Sequence, residues 1–196
     1  MRRGGAAVAA IACVAVSGPA QAHTVIAGMS GFPGGLLHPL LVPAHALLLL
    51  TLGLVAGAQA WPQRRILMLL FPLSQIAAVV LIVLAFAADT QNAILWLGAI
   101  AGALLALARP LPRVVTACVI AAGGVALMLD SVPALLSVQE TLSALSGTAF
   151  SAFVLFALTA GLSSRLTRPW QMTGRRILGS WAAASAILVL ALRLVK

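Results

Sequence analysis

The fold is decided by one stretch, which reads Gly31-Phe-Pro-Gly-Gly-Leu-Leu-His38-Pro39-Leu-Leu-Val-Pro43-Ala44-His45 and continues as Ala-Leu-Leu-Leu-Leu-Thr-Leu-Gly53. This run is apolar enough to cross a bilayer, yet it holds two of the three histidines of the chain. An imidazole at hydrocarbon depth costs free energy unless it has a partner or a task, so such residues are functional candidates. We therefore expect a membrane helix that carries a polar site.

The composition of the whole chain indicates a polytopic membrane protein. Hydrophobic residues make up 62% of the 196 residues, charged residues 8%, and the mean hydropathy is +1.13. A soluble domain of this composition would expose a large apolar surface. The formal net charge of +9 indicates topology, because basic residues collect in cytoplasmic loops. No basic face with a nucleic-acid motif accompanies it, so the expected surroundings are the lipid bilayer and not nucleic acid.

Residues 1–22 have the pattern of a secretory signal peptide. Arg2 and Arg3 precede an apolar run, and Ala20-Gln-Ala22 is the small-x-small sequence that signal peptidase cleaves. We expect cleavage after Ala22. The remaining residues 23–196 are expected to form a single membrane domain in the bacterial inner membrane, with the mature N-terminus in the periplasm.

Apolar stretches predict an all-α fold with six transmembrane helices after the signal peptide, since a span needs about 20 residues. The predicted spans are Leu36–Ala60, Ile66–Ala88, Ala93–Ala108, Val114–Leu129, Ser146–Leu162 and Ile177–Leu194. With residue 23 outside, the inner loops carry only basic residues and the outer loops carry only Asp89, Asp130 and Glu140. This segregation agrees with the positive-inside rule, and Arg193 and Lys196 near the C-terminus are its exceptions. We attribute the three acidic residues to topology.

Two prolines shape the expected geometry of the histidine stretch. Pro39 suits the first turn of a helix that begins at His38, and Pro43 is expected to kink that helix. In a regular helix, His38 and His45 would share a face about 10.5 Å apart along the axis, too far to bind one ion at ~2.0 to 2.1 Å. Three alternatives remain open: the kink brings the rings together, the rings are successive stations on a path, or His23 joins one of them.

The candidate metal ligands are His23, His38 and His45. After the expected cleavage, His23 offers an α-amine and an imidazole nitrogen as a chelating pair, which suits nickel, copper and cobalt(II). The structural alternative is a terminal His23 with no ligand role, and histidine rings at 38 and 45 that donate to backbone carbonyls freed by the prolines.

These residues resemble the HupE/UreJ family of hydrogenase and urease accessory membrane proteins. The resemblance rests on Ser30-Gly-Phe32 followed by Gly35-Leu-Leu-His38-Pro39-Leu-Leu and His45, with Gly53 beyond. It implies about six helices after a signal peptide and a permease for nickel or cobalt. The family pattern is close to His-Pro-x-x-Gly-x-Asp-His, whereas Val42 and Ala44 stand here at the Gly and Asp positions. The chain thus lacks the carboxylate of the motif, and it has no histidine after His45.

Two functions follow from this combination. The first is a secondary permease that carries a divalent transition metal, with nickel the leading candidate, across the inner membrane. The alternative is a non-transporting accessory or assembly protein that has lost the family's metal ligands. No nucleotide-binding, hydrolase or haem-attachment motif occurs, so we expect neither an enzyme nor a resident cofactor, only Ni²⁺ or Co²⁺ as a transported ion.

Overall fold

The computed structural model describes residues 31–84, 86, 90–107, 112–133 and 137–195. Within these ranges all regular structure is helical, which confirms the all-α prediction. The helices are α1 Gly31–Leu41, α2 Pro43–Gly57, α3 Trp61–Val83, α4 Gln91–Ala106, α5 Arg113–Asp130, α6 Val138–Ser164 and α7 Pro169–Leu194. The expected signal peptide and His23 lie outside the described residues.

The described helices support four or five membrane spans by length and composition. Helices α3, α5, α6 and α7 each qualify alone, and α1 and α2 qualify together as one bent span. Helix α4 coincides with the predicted third span, but its 16 residues reach only about 24 Å. This is short of a typical hydrocarbon core of ~30 Å, so a sixth full span stays a prediction.

The bend between α1 and α2 follows from Pro43. Val42 is extended, with φ −94° and ψ 106°, as the residue before a proline prefers, and Pro43 opens the first turn of α2. The two helix axes differ by 74°, which confirms the predicted kink. The predicted helix start at His38 is wrong, because α1 begins at Gly31 and Pro39 lies inside it.

A hydroxyl from another helix explains how α1 tolerates Pro39. Proline has no N–H, so the carbonyl of Gly35, four residues earlier, loses its intrahelical donor. The Thr148 hydroxyl of α6 donates to that carbonyl at 3.1 Å. The two backbones lie close here, since a Cβ at Gly147 would collide with the carbonyl of Phe32. Helix α6 therefore stabilises the irregular end of α1.

The segment between α5 and α6 also differs from its prediction. We expected a connection from Asp130 to Leu145, but α6 already begins at Val138. Ser137 and Glu140 form a capping box: the Ser137 hydroxyl accepts from the Glu140 N–H at 3.3 Å, and the Glu140 carboxylate accepts from the Ser137 N–H at 3.2 Å. This reciprocal pairing satisfies helix donors that would otherwise be unpaired and starts the helix early.

Helix α2 lies at the centre of the bundle. It contacts α1, α3, α4, α5, α6 and α7, and all its residues from Thr51 to Gly57 are buried. Its partners also pair among themselves: α1 with α6, α3 with α5, and α4 with α7. At the N-terminal end of α2, where several neighbouring residues are half-buried or exposed, His45 is fully buried.

Candidate metal site

The break between α1 and α2 brings two histidines together. His38 lies in the last turn of α1 and His45 in the first turn of α2. Their ring centroids are 5.1 Å apart and the ring planes meet at 68°. Two imidazoles that share an ion at ~2.0 to 2.1 Å have centroids about 5 to 6 Å apart. Of the three alternatives that the sequence left open for these rings, the geometry matches the one in which the proline kink closes the gap.

His45 is fully buried and paired with a carboxylate. Its Nε2 lies 2.9 Å from Oδ2 of Asp130, the last residue of α5, whose side chain is 11% exposed. An ionised carboxylate only accepts hydrogen bonds, so the Nε2–H of His45 is the donor. The pair is a charge-assisted contact that joins α2 to α5. Its two residues are 85 positions apart in the sequence.

Asp130 has a second contact at the edge of the site. The hydroxyl of Thr90, a buried residue just before α4, donates to Asp130 Oδ1 at the long distance of 3.4 Å. A carboxylate at a helix C-terminus is disfavoured by the helix dipole, so Asp130 does not stabilise α5 by its position. Its contacts with His45 and Thr90 account for its placement.

The remaining ring nitrogen of His45 is open. Nδ1 is buried and has no hydrogen-bond partner among the described residues. In the neutral ring with its proton on Nε2, Nδ1 carries the lone pair. A histidine held by a carboxylate through one nitrogen, with the other nitrogen available, is the arrangement that proteins use to present an imidazole to a metal ion.

The described ranges bring two of the three predicted ligands together. His38 and His45 are neighbours, and His23 lies outside these ranges. No group of three or more His, Cys, Asp or Glu side chains suited to hold an ion occurs in residues 31–84, 86, 90–107, 112–133 and 137–195. Sequence reasoning missed Asp130, which it attributed to topology. The sequence did offer one signal: Asp130 is an acidic residue at the C-terminal end of a helix, where the helix dipole disfavours a negative charge.

The polar residues at the N-terminus of α4 lie near the C-terminal end of α7. Arg193 Nη1 donates to Gln91 Oε1 at 3.2 Å and to Asn92 Oδ1 at 3.4 Å. Asn92 is therefore an interhelical hydrogen-bonding residue. Arg193, an exception to the charge segregation, thus joins α7 to the helix that Thr90 precedes.

Comparison with known proteins identifies a family that covers most of the chain. A family model described as HupE / UreJ protein matches residues 11–189. No curated protein and no solved structure matches significantly. The family match covers most of the 196 residues, including both histidines of the site and Asp130, the partner of His45. The chain therefore belongs to the HupE/UreJ family.

Proposed function

We propose that the protein is a secondary permease that carries a divalent transition metal ion across the inner membrane, with nickel the first candidate cargo and cobalt the second. The observation that carries the proposal is the state of His45. Its Nε2 is held by Asp130, and its buried Nδ1 has no hydrogen-bond partner among the described residues. Imidazole nitrogen suits nickel and cobalt better than magnesium or calcium.

Asp130 supplies the carboxylate that the local motif lacks. The family pattern has an aspartate directly before the second histidine, where this chain has Ala44. Asp130 reaches the ring of the same histidine from α5. A carboxylate in this position fixes the tautomer of His45 and strengthens the ring as a metal ligand. We therefore assign to Asp130 the orienting and charge-balancing role of the missing aspartate.

The pair of rings suits transient binding of a passing ion. His38 and His45 offer two imidazoles across the helix break, and His23 is the proposed third nitrogen ligand. A site of few protein ligands leaves coordination positions to water, so the ion can leave again. We propose entry from the periplasmic side, six spans with α4 as the shortest, and driving energy from an ion gradient or from trapping inside the cell. The proposal assigns no enzymatic reaction to the chain.

A second candidate function is that of a non-transporting accessory protein. It is favoured by one observation: the described residues hold no cluster of three metal-ligating side chains. In this alternative, the contact between His45 and Asp130 only joins α2 to α5. The two functions differ in whether uptake of metal depends on the open nitrogen of His45.

Metal uptake decides between them. Cells that carry the wild type, His38→Ala or His45→Ala at matched membrane levels would be supplied with radioactive nickel, with cobalt and copper as competitors. Thr51→Val is the matched control, because Thr51 is buried in the same helix but its hydroxyl donates only to Leu47 and Leu48 within α2. We expect His45→Ala to reduce uptake to the level of empty cells and Thr51→Val to leave it unchanged. Wild-type uptake no higher than in empty cells for any of the metals would reject the permease.

A further inference from the structure

Three arginines lie together at the end of α5 that is opposite to the histidine site. Asp130 of that site ends α5, and Arg113 begins it, while Arg64 and Arg65 lie in the first turn of α3. The two helix starts are neighbours, because Nε2 of Gln63 donates to the Arg113 carbonyl at 3.3 Å. Arg64 is half-buried, whereas Arg65 and Arg113 are exposed. We call these three arginines the arginine corner.

The arginine corner has no carboxylate partner in the part of the chain that the structure describes. The acidic residues of that part are Asp130, which is paired with the histidine site, and Glu140, whose carboxylate accepts from Ser137. Arg64 instead lies over the ring of Trp61, with Cζ 5.2 Å from the ring centroid. The corner therefore carries three positive charges that no described acidic side chain neutralises, and their counter-charge must come from outside this part of the chain.

An exposed apolar stripe on α3 fixes the depth of the arginine corner in the bilayer. Its six side chains recur every three or four positions, and each is more than half exposed: Ile66, Leu69, Leu73, Ile76, Val80 and Val83. From its first to its last residue the stripe covers about 26 Å along the helix, close to the ~30 Å of a hydrocarbon core. Arg65 lies on the same face, four residues before Leu69. Because helical side chains point toward the helix N-terminus, its guanidinium reaches the level of the lipid headgroups.

We propose that the arginine corner binds the headgroup of an anionic phospholipid. The acyl chains lie along the stripe of α3 and against Val114 of α5, which follows Arg113 and is 73% exposed. A phosphate group accepts paired hydrogen bonds from a guanidinium, so arginine suits it better than a point charge does. The proposal is independent of metal transport.

The surroundings of the corner select this occupant. A soluble phosphate would fill the corner but leave the stripe uncovered, whereas a lipid covers both surfaces at once. A zwitterionic headgroup would bring its own positive amine among three arginines, with no described carboxylate to receive it. An acidic soluble protein would have to enter the headgroup layer, where anionic lipids are already concentrated and attracted to basic residues.

Binding is tested on the purified full chain in detergent micelles by native mass spectrometry. The probe is dioleoyl-phosphatidylglycerol over a range of concentrations, with inorganic phosphate as a competitor. Dioleoyl-phosphatidylcholine keeps the chains and replaces the headgroup, and dihexanoyl-phosphatidylglycerol keeps the headgroup with chains too short to cover the stripe. R65Q/R113Q removes two charges from the corner. R165Q/R168Q is the matched control, since it removes two charges from exposed arginines between α6 and α7.

The wild type is expected to bind dioleoyl-phosphatidylglycerol at least about tenfold more tightly than either of the other two lipids. A basic residue near an anionic lipid surface contributes about fivefold in affinity, so R65Q/R113Q should bind this lipid about 25-fold more weakly and R165Q/R168Q less than about threefold more weakly. Equal weakening in the two double variants, or displacement of the lipid by an equal concentration of inorganic phosphate, overturns the proposal. If R65Q/R113Q does not reach the membrane, equal affinity of the wild type for phosphatidylglycerol and phosphatidylcholine overturns it alone.

Discussion

The two ends of α2 are filled in different ways. At the N-terminal end, the fully buried His45 meets the carboxylate of Asp130. At the C-terminal end, Gly53 and Gly57 lie directly against α6, and the Ser163 hydroxyl donates to the Leu54 carbonyl at 2.9 Å. One end is filled by titratable groups, and the other end by small residues and backbone.

This difference indicates which end serves the fold and which end serves a function. Small residues allow close van der Waals packing, which is the main source of helix association in lipid. A buried ionisable pair costs desolvation and often stabilises less than apolar residues of the same size would. We infer that the glycine end holds α2 in place, and that the histidine end is retained for its chemistry. Four predictions test this division.

The largest effect is expected at the glycine end. In Gly57→Ala, the new Cβ would collide with the Ala160 carbonyl and would lie 2.6 Å from Ser163 Cβ, so α2 and α6 must separate. We expect the free energy of unfolding in mixed micelles to fall by about 3 kcal/mol, as for other overpacked cores. Gly161→Ala is the matched control, because a Cβ there meets nothing within 4 Å. Equal stability of the two variants would show that the close approach does not hold the bundle.

The hydrogen bond that supports α1 should have the next largest effect. Thr148→Val removes the hydroxyl that donates to the Gly35 carbonyl, which Pro39 leaves without a donor. A buried carbonyl without a partner costs about 2 kcal/mol. The measurement is again unfolding in mixed micelles. Thr159→Val is the control, since that hydroxyl donates within its own helix to Leu155. A loss as large in the control would indicate that the methyl group, and not the hydrogen bond, matters.

Much of the fold follows from local sequence. Each helix that the structure describes overlaps a predicted apolar stretch, although α1, α6 and α7 begin earlier than predicted. The bend before Pro43 follows from the restriction that a proline places on the preceding residue. The start of α6 was also encoded locally, because Ser137 and Glu140 have the spacing of a capping box. Hydropathy alone misses it because the flanking residues are too polar for a membrane span.

The rest depends on contacts between distant residues. Nothing near Pro39 shows that Thr148 replaces its missing donor, so sequence reasoning placed the start of α1 too late. The partner of His45 lies 85 residues away. Sequence reasoning identified the two histidines because ionisable groups are rare in this chain, but it assigned Asp130 to topology because its neighbours along the chain explain it equally well.

At the histidine end, the charge of Asp130 is expected to matter more for transport than for stability. Asp130→Asn keeps an acceptor for the Nε2–H of His45 but removes the negative charge. Changes in groups that orient metal ligands typically lower metal affinity 10- to 100-fold, and we expect about tenfold weaker nickel uptake for this conservative change. Glu140→Gln is the control, because this exposed acid makes its contacts with Ser137. Unchanged uptake in Asp130→Asn would remove Asp130 from the site.

A second substitution sharpens this test. Ala44→Asp restores the carboxylate of the family pattern beside His45. If Asp130 replaces that group, Ala44→Asp combined with Asp130→Asn should recover part of the lost uptake. Failure to recover any uptake at a normal membrane level would show that the carboxylate must come from α5.

The smallest effect is expected from Thr90, and it tests what holds Asp130. The Thr90 hydroxyl lies 3.4 Å from Asp130 Oδ1, long for such a bond, whereas His45 lies 2.9 Å from the other oxygen. Thr90→Val should therefore reduce nickel uptake by about threefold at most, less than 1 kcal/mol on the scale where a tenfold change is 1.4 kcal/mol. Ser131→Ala is the control, since that hydroxyl donates to Leu127 inside α5. A tenfold loss in Thr90→Val would mean that α4 positions the carboxylate and that the histidine end is organised by three helices. A loss within threefold would leave His45 as the main partner of Asp130, with the site defined by α2 and α5.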